Sequence, residues 1–519
     1  MSETALDRLI DRFLIHHARF YPVDATFIGL PGANGMLPPA GPDAAEAERD
    51  AIRALRLACE ATQVEDRSGQ RLDSRMLRAA LAHAEAALDC WPRHRQPTWY
   101  TGETAFGLIS LLLPTAPADA GEALAARLSA APAFLAAGAA ALAGQATPAD
   151  WCERARRECA AIQRLMRNLP LHPLWREKLA EPAARVSEAA AAFAAAATGL
   201  PDRDPACGRD YLGFLMRDVH GLPWSPEEAV DLAKEAFDAL GREIAAHPAQ
   251  GAPPQPTVEP SALPAAYRHW HERVMAKAGA LVTPASEFGL AFEPLPDWSE
   301  GVAGDTYFLS YRCPPAFGAG AGSTYWTAPA AQSPVAIKQT HAIHHGSIGH
   351  HTQNARARTA ESRLARLAGA DCASGLAFLA SGTMVEGWSS YTTELACEID
   401  GLYSPEDGVA ALEGARRIAA SVLSDIGLHA GGWGLERMRA FYRDENIFPP
   451  PRIWGETVRN SILPATRLMY FLGAVQIKAL RRERGGSVLD FHDGLIAHGH
   501  APVAWAADEM RRADAQTGT

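Results

Sequence analysis

A chain of 519 residues, 48% hydrophobic and 21% charged, has the composition of an ordinary globular protein and the length for several domain-sized cores. Its formal charge of −11 argues against a nucleic-acid partner, because affinity for phosphates needs a concentrated basic face. The local clusters Arg154, Arg156 and Arg157, and Arg481, Arg482 and Arg484, read as exposed helix faces.

In chain order, helical signals dominate. The first segment, through Tyr21, places Glu3, Asp7 and Asp11 among apolar positions. That is an amphipathic helix, without the basic start and apolar centre of a secretory signal. Leu108–Leu113 is far too short to span a bilayer, so the expectation is a cytoplasmic protein with no membrane partner. Residues 120–200 are rich in strong helix formers, with Pro132, Pro148, Pro170 and Pro173 expected to separate the segments. The alanine run 189–197 reads as a tightly packed helix. Ser225-Pro226-Glu227-Glu228 opens a helix to about Ala246: serine caps it, proline starts it and Glu228 closes a capping box.

Five prolines between His247 and Pro260 mark a linker or surface loop. The chain thus divides into an N-terminal helical region (1–246), the proline-rich segment (247–260) and a helical region (261–519) expected to form one catalytic unit with the first. Within an irregular stretch at 293–334, Thr306–Tyr311 and Ser323–Thr327 are the strand candidates. Helices are expected at 355–369, 374–400, 407–427, 435–443 and 464–484. The eight cysteines, at 59, 90, 152, 159, 207, 313, 372 and 397, show no Cys-x-x-Cys pair and read as buried reduced thiols.

The strongest chemical signal is a crowd of five histidines within 341–351: His341, His344, His345, His350 and His351. Imidazole is the commonest side-chain metal ligand, and Glu386 follows in Val385-Glu386-Gly387-Trp388. Two histidines from one segment and a carboxylate from a later helix form a catalytic zinc set. The bland alternative is a solvated histidine-rich loop. Spacing alone does not choose the ligands. His341 and His345 are one helical turn apart without the intervening glutamate of a zincin helix, and Gly346 and Gly349 argue against an unbroken helix.

Four ordered motifs carry a resemblance. His344-His345-Gly346-Ser347-Ile348-Gly349-His350-His351-Thr352-Gln353 stands where a bacterial family, domain of unknown function 885, has His-Glu-x-x-Pro-Gly-His-His-x-Gln. The motif Val-Glu-Gly-Trp-x-x-Tyr-x-x-Glu is intact from Val385 to Glu394. Asp425-x-Gly427-Leu428-His429 with Gly432-Trp433 matches a third, and Arg459, Pro464, Tyr470 and Gly473 a fourth. Pro22, Ala25, Thr26 and Gly29 fit an N-terminal pattern, so the resemblance spans nearly the whole chain.

That resemblance, to a family placed among the zincin metallopeptidases, implies a mostly α, large helical zincin-like fold with a deep cleft and a small β element before the metal-site helix. It implies His344, His350 and Glu386 as ligands of a divalent metal, with His351 and Glu394 in or beside that set. Tyr470 and His429 would face the metal as donors to an oxyanion. For Tyr470 a plain core role stays open. Arg459 reads either as a clamp for a substrate carboxylate or as an ordinary ion-pair residue.

The departures from the family pattern matter as much. The general-base glutamate is His345 here, its proline is Ile348, and the later Pro-Gly-Gln reads Pro464-Ala465-Thr466. A neutral imidazole accepts a proton at pH 7, so His345 is a candidate catalytic base or an extra ligand. Zinc is the favoured ion, and iron(II) suits the same donors. The expected function is a metal-dependent hydrolase of amide or peptide bonds in a small-molecule or short-peptide substrate. Its rivals are a non-hydrolytic metalloenzyme (a lyase, an isomerase or an iron-dependent oxidative enzyme) and a catalytically silent metal- or peptide-binding relative.

Overall fold

The computed structural model describes residues 3–251, 253, 255–306, 310–318, 320, 322–367 and 382–517. It is mostly helical, with one small sheet. The first helix, Ala5–Phe20, starts at Thr4, which forms a capping box with Asp7 and leaves Leu6, Leu9, Ile10 and Phe13 on the buried face. That face packs with the helices Pro42–Ala61 and Ser68–Cys90 and with Leu364 and Trp505 from late in the chain. The first and last parts of the sequence therefore share a core. The bidentate contact of Arg71 with Glu509 ties them again.

A second core joins the helices Pro97–Ile109, Ala120–Leu142, Ala149–Asn168 and Ala180–Ala196. Pro132 lies inside Ala120–Leu142 and does not divide it, because Leu128, Ala131, Phe134 and Leu135 bury the segment on both sides of it. By length and composition this helix could cross a membrane, yet its Leu124, Leu128, Leu135 and Leu142 are built into the core. Arg154 is a further correction to the exposed-face reading. It is buried and meets Glu158 at 2.7 Å. Pro226–Ala246 carries the Ser225–Glu228 capping box as expected. Residues 248–257 form no helix or strand where described, and Val258 bridges Gln332.

The sheet runs β1 (Gly289–Pro294), β3 (Gly322–Thr327), β2 (Tyr311–Arg312), with β1 parallel and β2 antiparallel to β3. Of the expected strand 306–311 only Tyr311 is in the sheet, and 307–309 lie outside the described residues. The expectation at 323–327 falls within β3, whereas β1 is masked in the sequence by its flanking glycine and proline. Phe292 pairs with Tyr325 and packs with Tyr267 and Ile337, which docks the sheet onto the segment that carries the histidines.

Further on, Thr352–Ala357 is helical, but the helix expected to reach 369 stops there. Asp73 captures the backbone N–H groups of Arg363 and Leu364 at 3.1 and 2.8 Å, removing donors that a helix would need. Residues 368–369 and 374–381 of the expected helices, and Cys372, lie outside the described residues. Gly382–Leu395, Pro405–His429, Leu435–Asp444, Pro450–Ile462, Leu468–Arg484, Val488–Ile496 and Val503–Thr517 complete the fold. Among the described cysteines all are free, and Cys90 and Cys397 are exposed.

Candidate metal centre

The segment 337–351 is two wide, π-type helical stretches, Ile337–His345 and Ser347–His351, broken at Gly346. His344 and His350 are six apart, which a regular helix would turn to different faces. The break brings them together. A Cβ on Gly349 would lie 2.0 Å from the carbonyl oxygen of His344, and one on Gly346 would lie 2.8 Å from that of Ala342, so this fold-back admits only glycine. Between them Ser347 holds a φ of 33°, a left-handed conformation stored beside the site. The indole of Trp388 donates to the carbonyl of Ile348 at 2.9 Å and pins the loop to the helix that carries Glu386.

Glu386 Oε2 lies 3.7 Å from His344 Nε2 and 3.5 Å from His350 Nε2, and the donor atoms of the three residues fall within 4.8 Å of one another. Donors about 2.0–2.1 Å from a tetrahedral ion stand roughly 3.3–3.4 Å apart, close to two of these separations. Glu386 Oε2 is buried without a hydrogen bond of good geometry, an orphaned acceptor that an ion would satisfy. Burial pushes the His344 imidazole down, toward neutrality. Burial alone would raise Glu386, but the imidazoles of His344 and His350 outweigh it and hold the carboxyl well below its usual range. A neutral imidazole next to an ionised carboxylate is the protonation state that binds a divalent cation. The residues fit.

His345 stands beside this group. Its ring is edge-on to His344 at 4.9 Å and stacked with His350 at 5.9 Å between centroids. Burial, reinforced by the surrounding imidazoles, holds it well below its ordinary pKa. Its Nδ1 meets Tyr325 Oη at 2.9 Å, and the same hydroxyl meets His341 Nδ1 at 2.6 Å. One hydroxyl has one proton. The shorter contact suits O–H donation to His341 and the longer one N–H donation from His345, which leaves His345 Nε2 as the bare nitrogen. Tyr325, in the strand candidate ahead of the cluster, carried no chemical signal of its own in the sequence.

Tyr470 comes to the site: its ring lies parallel to that of His344, 6.4 Å away between centroids. Two features of the fold put it there. Asp425 accepts from the N–H groups of Ala465, Arg467 and Leu468 at 3.3, 3.1 and 3.2 Å, capping the helix Leu468–Arg484. This also explains why the helix starts at 468, after a turn with Ala465 at a φ of 63°, and not at 464. Gly473 and Gly387 then let that helix touch the one bearing Glu386.

Other expected site residues are placed elsewhere. His351 is fully buried, with Nε2 on the Phe288 carbonyl at 2.8 Å and Nδ1 at 3.4 Å from Tyr311 Oη, so both nitrogens are engaged. His429 donates from Nε2 to the Asn460 carbonyl at 2.9 Å, while its Nδ1 accepts from Cys207 N–H at 3.2 Å. Both nitrogens are thus engaged in the core beside Asp425. Glu394 is ion-paired with Lys478 at 2.9 Å. Arg459 and Thr466 line a cavity against the first turn of the Tyr470 helix.

A large helical protein with a His-His-Glu constellation is thus the class that fold and site define. A family model described as bacterial protein of unknown function (DUF885) matches residues 22–510, and the chain belongs to that family. Two solved structures share its fold. One is a candidate lipoprotein of unknown function from Shewanella oneidensis, 16% identical with a TM-score of 0.72, the match covering 98% of this chain and 99% of the other. The second is a candidate lipoprotein from Colwellia psychrerythraea, 14% identical with a TM-score of 0.66, covering 99% and 100%. No curated protein matches the chain.

Proposed function

We propose that this protein is a metal-dependent hydrolase of amide or peptide bonds in small substrates, built on a zincin-like helical scaffold with a histidine in place of the usual base. The observation that carries the reading is the convergence of His344, His350 and Glu386 around an orphaned carboxylate oxygen. An ion held there, zinc by preference, would polarise a carbonyl and activate water. His345, neutral and with Nδ1 tied to Tyr325, would accept the proton of the attacking water at Nε2. Tyr470 would donate its phenolic proton to the oxygen that gains charge. The test is reconstitution with zinc followed by assay on a panel of dipeptides and N-acyl amides, which the reading expects to be cleaved.

One observation favours a second reading. Two histidines and one carboxylate also suit iron(II), and the glutamate expected of a peptidase is absent at position 345. Activity that requires iron(II) and oxygen would select this oxidative alternative. As to location, the lipoprotein descriptions of the two relatives suggest a membrane-anchored or secreted setting, against the cytoplasmic expectation. Fractionation of the producing cells decides between them.

A further inference from the structure

A cavity of about 170 Å³ lies against the first turn of the helix that bears Tyr470. Trp91, Trp99, Phe106 and Tyr211 give it aromatic faces, beside the ionisable Arg93, Glu103, Glu158 and Arg459. An engineered apolar cavity of about 150 Å³ accepts benzene, so this one has room for a single aromatic ring with a small substituent. Trp91 and Gln96 also line an open groove of about 550 Å³. His220 lines the cavity, and its carbonyl accepts from Thr383 Oγ1 at 3.3 Å, about one turn before Glu386.

The polar atoms on this wall are unusual. Glu103 Oε2, Thr98 Oγ1 and His220 Nδ1 are buried without a hydrogen-bond partner among the described residues, and all three can accept. Two cations, Arg93 and Arg459, share this lining, and Arg93 is committed. Arg93 donates to Glu48 at 2.9 Å and to the Phe20 carbonyl at 3.2 Å and lies over the Tyr21 ring, while Arg127 serves the carbonyls of Met36 and Pro22. A buried carboxylate oxygen without a donor is costly, and Glu103 Oε2 is one that a ligand's N–H would satisfy. Burial pushes Glu103 up to about 7, against the lowering effect of Arg93, Arg127 and a hydrogen bond with Trp99. Aromatic faces add attraction for a cation.

We infer that this cavity binds a protonated amine carried on an apolar body the size of one aromatic ring, with Glu103 receiving the ammonium. If the hydrolase reading holds, on which this clause rests, the cavity takes the amine-bearing apolar part of the substrate.

Gly102 gives a clean test. It lines the cavity, and a Cβ there would meet nothing within 4 Å, so Gly102→Leu fills the space without a backbone clash. Calorimetry on the metal-free full chain should show 2-phenylethylamine binding at one site, at least tenfold tighter than the isosteric 2-phenylethanol. Glu103→Gln should abolish that preference, and Gly102→Leu should abolish binding of both. Absence of amine binding to the wild type, equal amine binding in Gly102→Leu, or a preference that survives Glu103→Gln overturns the inference. Should Glu103→Gln fail to fold, the wild-type and Gly102→Leu titrations decide alone. Zinc uptake, measured on the same proteins, separates the two claims. A wild type that takes zinc but no amine defeats only the cavity, and one that takes the amine but no zinc defeats only the metal centre.

Discussion

A Cβ placed on Gly387 would lie 2.6 Å from the Cα of Gly473, and one on Gly473 would lie 2.3 Å from the carbonyl oxygen of Thr383. The helices that carry Glu386 and Tyr470 therefore cross backbone against backbone, each at a glycine near the residue it delivers. Gly473→Ala must push them apart, since the obstructing atoms are main chain. Overpacking of this kind typically costs about 1–3 kcal/mol. A thermal melt should show the loss, and zinc affinity should fall with it. An alanine variant with wild-type melting and zinc uptake would contradict this role.

Tyr470→Phe separates catalysis from packing. The ring beside His344 is kept and only the hydroxyl goes, so zinc content and melting temperature should stay near wild type. Loss of one oxyanion donor typically costs about 2.7–4 kcal/mol in the barrier, a drop in kcat of roughly 10²–10³-fold. Unchanged turnover on any cleaved substrate would assign the phenol to the core.

The Tyr325 hydroxyl fixes the tautomer assigned to His345, and Tyr325→Phe removes that control without touching a ligand. Changes to groups that orient a metal site commonly cost 10–100-fold, and a decrease of about that size in turnover is expected with the metal retained. His345→Ala should lower activity further. His345→Glu, which restores the residue of the peptidase pattern, should raise cleavage of peptides. If His345→Ala leaves both activity and metal content intact, the base assignment is wrong.

Acid should destabilise the fold early. Burial pushes His83 and His500 down to about 3, and His220, His429 and His492 to about 4. Each is neutral when folded and titrates near 6.5 when unfolded, so the unfolded chain binds more protons at pH 5. These groups contribute stability above about pH 6.5 that is lost progressively as the pH falls toward 4. Asp425 and Glu103, both pushed up to about 7 by burial, act with the opposite sign across much of that window but are fewer. Melting temperature should drop from pH 7.5 to pH 5. A flat or rising profile would refute the ledger of buried neutral histidines.

What the sequence made legible follows the range of the interactions. The helix starts at Thr4 and Ser225 rest on contacts three residues apart and are visible locally. The Glu386-Gly387-Trp388 motif is also local, and its parts prove to be the carboxylate, the helix crossing and the indole that pins Ile348. His344 and His350 came from the family resemblance, since their six-residue spacing converges only through the fold-back at Gly346 and Gly349. The partners of His351, His429 and Glu394 were not legible in the sequence. Those groups (the Phe288 and Asn460 carbonyls, Cys207 N–H and Lys478) lie far along the chain. Tyr325 was hidden for the same reason, reaching His341 and His345 across a strand and a turn.

The most direct measurement of the central claim is metal stoichiometry by elemental analysis of protein reconstituted with zinc and then desalted. One zinc per chain is expected for the wild type, with loss of the metal in His344→Ala, His350→Ala and Glu386→Gln and retention in His351→Ala and Glu394→Gln. A wild-type chain that retains no divalent metal, or triad variants that bind zinc as the wild type does, would contradict the account.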